Sequence, residues 1–175
     1  MTATALGLLV LRSVVGVVLV GHGTQKLLGW FGGYGPRGTG ALFDLLGYRP
    51  GTRFAVIAGL TELGSGALLA VGFLTPLACA GVIGVMLNAA WSLRRQGPWV
   101  ANGGWEYTFV LAVIGATLAL VGPGSVSIDH TVGLAWPTPW GPAGIVFGAG
   151  AAVATVQHQR LLAERRSAGT VEVSR

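Results

Sequence analysis

The sequence predicts an all-α fold: an integral membrane helical bundle with a four-helix core and a fifth transmembrane helix. Three observations carry this. First, the 175 residues are 52% hydrophobic and only 10% charged, whereas soluble domains carry about 25% charged residues. Mean hydropathy is +0.67, and too little polar material remains to surface a water-soluble domain of this size. Second, apolar runs near the roughly 20 residues needed to cross a bilayer core recur along the chain. Third, Lys and Arg gather in alternate joins between those runs, as membrane topology requires.

The first span covers residues 6–30. It lacks a basic leading segment, Arg12 interrupts it, and no small-residue cleavage pattern follows, so it reads as a retained helix and not a signal peptide. "FAVIAGLTELGSGALLAVGF" is the second span, 54–73, and "FLTPL" turns tightly into the third, 76–93. "RRQGPWVANGG" leads to the fourth, 105–121. "GPGSVSIDHTVGLAWPTPWGP" then joins it to the fifth, 141–157, and its prolines oppose continuous helix there. The fifth is the shortest and richest in glycine. Its "GIVFG" places Gly144 and Gly148 one turn apart, a small-xxx-small pair suited to close helix contact. Three regions follow: a four-helix core over 1–130, an added loop and helix over 131–158, and a basic tail over 159–175, expected to be flexible.

Charge sets the expected orientation. Arg37, Arg49 and Arg53 lie in or beside the first loop, Arg94 and Arg95 open the third, and Arg160, Arg165, Arg166 and Arg175 occupy the tail. The second and fourth loops contain no Lys or Arg. Five spans put every loop arginine on one side, which becomes cytoplasmic, with the N-terminus outside. Trp30, Trp91, Trp99 and Trp105 then fall at the cytoplasmic interface, and Trp136 and Trp140 at the outer one. The net charge of +5 is explained by these flanks, not by nucleic-acid binding. The lone Cys79 allows no internal dithiol chemistry and reads as a small core residue.

Ionisable residues at membrane depth are costly and mark candidate sites. Arg12, His22, Glu62 and Asn88 lie within the spans, and Lys26 and Glu106 nearer the interface. At the helical rise, Glu62 sits about 14 Å beyond Arg53, near the midplane. His22, Lys26, Asn88 and Glu106 approach one leaflet, with Glu62 above them, so the six residues form the candidate polar pocket. A purely structural role is the competing reading. Glu62 would pair with Arg12 or Lys26, Lys26 and Glu106 would reach the headgroups, His22 would bond a neighbouring backbone, and Asn88 would join helices. Haem-ligand histidine pairs, metal-binding spacings, a P-loop and a nucleotide fingerprint are all missing from the sequence.

"RSVVGVVLVGHGTQKLLGWFGGYG", "GLTELGSGALLAVGFLTPLA" and "NGGWEYTFVLAVIGATLALVGPGSVSID" resemble the DoxX family of small bacterial membrane proteins. The shared features are the early arginine, H-G-x-x-K-L closing the first helix, the mid-helix glutamate before G-x-x-T, the glutamate opening the fourth helix, and G-P-G-x-x-S-I-D. The resemblance implies a four-helix membrane bundle in the bacterial plasma membrane, with Arg12, His22, Lys26, Glu62, Asn88, Glu106 and Asp129 as its recurring polar positions. It also implies a link to quinol oxidase and thiosulfate:quinone oxidoreductase, or to soluble enzymes of oxidative-stress defence. The leading expectation is a membrane subunit of a quinone-linked redox system, with no covalent cofactor and quinone as the ligand. A non-catalytic scaffold recruiting soluble redox enzymes is the alternative, and a small transporter the third. Membrane lipids and a second copy of the chain complete the expected partners.

Overall fold

A computed structural model describes residues 2–173, with side chains described through residue 165. Helix α1, Ala3–Leu28, starts under the Thr2 hydroxyl, which accepts from the Ala5 N–H at 3.2 Å. It stops at Gly29, whose φ of 72° is the left-handed conformation that ends helices. After a short 3₁₀ turn comes α2, Gly35–Leu45, with proline in its first turn. Helix α3, Gly51–Val71, ends at left-handed Gly72 and turns directly into α4, Thr75–Leu93. Helix α5 is Glu106–Val121, α6 a single turn at Ile128–Thr131, and α7 Trp140–Val173.

The first four expected spans match α1, α3, α4 and α5 to within a few residues. The fifth coincides in position with the first part of α7, which, over the described residues, is not among the helices long and apolar enough to cross a membrane. Three helices, Ala3–Leu28, Gly51–Val71 and Thr75–Gln96, are long and apolar enough to cross a membrane, and Glu106–Val121 is a shorter apolar helix. Two features depart from the reading of the sequence. The first loop, to which the sequence reading assigned no helix, contains α2, which packs on α3 and α1. Helix α7 does not end near residue 157 but continues through Val173, along the segment read as tail. Arg175 lies outside the described residues, as does the side chain of Arg166.

Small residues decide how the helices pair. Helices α1 and α3 run antiparallel along a glycine seam. A Cβ at Gly23 would stand 2.7 Å from the Leu63 nitrogen and 2.8 Å from the Gly59 carbonyl, and one at Gly66 would stand 2.7 Å from the Gly16 carbonyl. The glycines pair at a seven-residue interval on each helix, which keeps them on the facing side. Helix α4 lies at the centre, packed by α3, α5 and α7. Leu19, Leu69, Val82, Leu118 and the free thiol Cys79 form the core around it. Gly144 and Gly148 do meet a neighbour: their Cβ positions point at the Pro76 and Ala80 carbonyls of α4.

Helix α7 also runs the full height of the bundle. Near its start Gly141 lies against Ala119, at the end of α5. At the other end the Gln159 Oε1 accepts from the Arg49 N–H at 3.0 Å. Arg53, Arg94 and Arg160 share that second end. There Arg94 and Arg160 both stack on Trp91, at 4.0 and 4.6 Å from its ring centre. Trp136 and Trp140 contact one another at the opposite end.

Candidate functional site: a polar pair in an apolar groove

A groove of about 580 Å³ lies over α4, between α3 on one side and α7 on the other, closed at its basic end by α2. It exists because its floor is small: Ala80, Gly81, Gly84 and Ala89 of α4 leave the space unfilled. Ile57, Leu77 and Phe147 are more than half exposed at its rim. The groove therefore opens sideways, which in a membrane-spanning bundle means toward lipid.

Lys26 and Glu62 supply its charge. The Lys26 Nζ donates to Glu62 Oε2 at 2.7 Å, with the carboxylate side chain only 4% exposed. Gly59 makes this reach feasible, since even a methyl group there would stand 3.2 Å from the Lys26 Cβ. Removing either member of such a pair would leave an uncompensated charge in a dry site. Asn88 also lines the groove. Its Nδ2 donates to the Gly84 carbonyl at 3.0 Å, and its Oδ1 accepts from the Tyr48 hydroxyl at 3.4 Å. Ser92 Oγ donates to that same hydroxyl at 3.3 Å. A neutralised ion pair, an amide and the hydroxyls of Tyr48, Thr61, Ser92 and Thr155 thus line an otherwise apolar space.

Of the six candidate residues, Lys26, Glu62 and Asn88 converge on the groove, and the other three go elsewhere. His22 turns to the α5 side, with Nδ1 3.0 Å from Gln25 Oε1 and Nε2 3.3 Å from the Tyr107 hydroxyl. Its partners are side chains and not backbone. Glu106 accepts from the Val100 N–H at 2.9 Å and so braces the preceding loop. Arg12 is not the partner of Glu62. It sits two turns or more from it, at the opposite end of the seam, and donates to the carbonyls of Leu69, Ala70 and Val126. The bare carbonyls at the end of α3 attract a cation there more than a mid-helix carboxylate does.

Asp129 stands beside this second cluster, fully buried. It accepts from the Leu74 N–H at 2.8 Å, the Thr75 N–H at 3.0 Å, the Thr75 hydroxyl at 2.7 Å and the Trp136 indole at 2.9 Å. Burial alone would raise its pKa, but the hydrogen bonds from Thr75, Trp136 and Leu74 outweigh burial and hold it below the ordinary carboxylate value. Its role is to cap α4 and tie the loop between α5 and α7 to the α3–α4 turn.

Tyr48 is the groove residue that sequence reasoning missed. It lies between α2 and α3, outside any apolar period, and only its 7% exposure reveals it as part of the interior. Among the described residues no cluster of three or more His, Cys, Asp or Glu could hold a metal ion. The DoxX family model matches residues 7–95, about half of the chain. No curated protein and no solved structure matches it.

Proposed function

This chain belongs to the DoxX family, and on that premise we propose that this multi-pass membrane protein is the quinone-binding subunit of a redox system. One observation carries the reading: a Lys26–Glu62 pair, its carboxylate buried, set in the wall of a large apolar groove that opens sideways. Ligand sites of this kind are mostly apolar, with a few convergent polar groups that fix orientation. A quinone carbonyl is an acceptor, which Lys26 and the second amide N–H of Asn88 can satisfy as donors. A quinol hydroxyl is a donor, and Glu62 can accept from it and take up its proton. Electrons pass to or from a partner protein docking on the arginine-rich end. In this reading α7 is the fifth span, that end faces the cytoplasm, and the N-terminus lies outside.

The test is direct. The protein, purified in native lipid, is extracted and its quinone content measured, and quinone affinity is compared for wild type, Glu62→Gln and Asn88→Leu. Copurified quinone is expected, with affinity falling about tenfold in Glu62→Gln as a charge-assisted bond is lost. No bound quinone, together with unchanged affinity in both variants, would leave the scaffold reading, in which the basic end recruits soluble redox enzymes.

A further inference from the structure

The groove is longer than a quinone ring requires. Its lining on α4 runs from Leu77 to Leu93, about 24 Å at the helical rise. Polar groups are unevenly spread along it. Tyr48, Asn88, Ser92 and Thr155 lie toward the arginine-rich end, with Lys26, Thr61 and Glu62 farther in, whereas Leu77, Ala80 and Phe147 line the rest. A molecule that fills such a space carries a polar head on a long apolar chain.

The charge of the lining selects among such molecules. Lys26 and Glu62 neutralise each other. The nearby guanidinium groups of Arg94 and Arg160 stack on Trp91 and are not part of the groove wall. A phosphodiester would meet no net positive charge there, whereas an uncharged ring with two carbonyls matches the donors and acceptors present.

Helix α7 presents Phe147, Ala151 and Thr155 to the groove at i, i+4 and i+8, one continuous face. This helix lies outside the stretch matched by the family model. Resting on the quinone reading, we infer that the isoprenoid chain of the quinone lies against this face of α7, and that α7 makes the protein selective for long-chain quinones. Burial alone would give no such preference, because lipid tails are as apolar as the groove. Selectivity must come from the fit between chain and wall.

The experiment compares two quinones with the same ring, one with a single isoprene unit and one with a long polyisoprene chain. Both are titrated into the full-length protein in nanodiscs, with affinity expressed per mole of lipid to remove differences in partitioning. Wild type is expected to bind the long-chain form severalfold more tightly. Ala151→Trp fills the groove from an exposed position on α7 and is expected to abolish that preference. Phe147→Ala, which removes wall instead of filling space, gives the same loss. Val153→Trp, on an exposed position of α7 outside the groove, keeps the preference. Equal binding of both quinones by wild type, or a preference surviving in both Ala151→Trp and Phe147→Ala, overturns the inference and leaves the quinone site standing. Binding of neither quinone removes the quinone reading and this inference with it.

Discussion

Asp129 shows how far a single side chain can organise one end of the molecule. Four donors converge on its carboxylate, so its folded pKa lies below the unfolded one. A depressed carboxylate contributes stability that is complete above its unfolded pKa, about 3.9, and is lost as pH falls through the folded value. The thermal midpoint of wild type in detergent is therefore expected to hold from neutral pH into the mildly acidic range and to fall once pH drops below about 4. Asp129→Asn starts lower at neutral pH and shows a shallower fall across that window. Parallel curves for the two proteins, read by intrinsic fluorescence, would show that Asp129 is not the titrating group. At this scale the sequence was partly legible. Glu62 and Lys26 stand out because charge is rare in apolar spans. Which of Lys26 and Arg12 neutralises Glu62 is not legible, because the choice depends on how the two helices slide past one another.

Glycine sets the packing of whole helices. Gly16, Gly23, Gly59 and Gly66 let the α1 and α3 backbones approach until no Cβ fits between them, whereas a Cβ added at Gly21 or Gly64 would meet nothing within 4 Å. The two groups should respond oppositely to alanine. Gly23→Ala or Gly66→Ala is expected to cost about 1–3 kcal/mol by forcing the seam apart. Gly21→Ala or Gly64→Ala, with open space and a better helix former, is expected to be neutral or to stabilise by up to about 1 kcal/mol. Thermal unfolding of the four variants in one detergent checks this, and similar losses at all four would remove the seam as the cause. The sequence supplies the glycines but does not sort them. Thirty glycines offer many small-xxx-small pairs, and only the crossing of the helices selects those that touch. The Gly144–Gly148 pair is one that does, on α4.

The molecule as a whole is a bundle with two unlike ends. One carries Arg53, Arg94 and Arg160, and the other holds the Arg12 and Asp129 clusters with Trp136 and Trp140. If the basic end is cytoplasmic, a cysteine placed at Thr2 should react with a membrane-impermeant thiol reagent added outside intact cells, and one at Arg95 should react only after the membrane is opened. The native Cys79, fully buried, should stay silent in both. The reverse labelling pattern would invert the topology and move the groove's polar end to the other leaflet.

The extension of α7 through Val173 was not legible at the level of sequence, whereas the positions of the long apolar helices, the sidedness of charge and the presence of ionisable groups within apolar spans were. Each is a one-dimensional property: hydropathy summed over a window, the position of a breaker, a count of Lys and Arg. Tertiary structure decided which of those groups form a site. Helices α3, α4 and α7 had to assemble before a groove existed, and α2 had to fold back before Tyr48 could reach Asn88. Lys26, Glu62 and Asn88 then faced a shared space, while His22, Glu106 and Arg12 found partners on other faces. The physical reason is that a helix fixes which residues share its own face, but only the distance and rotation between helices fix what that face meets.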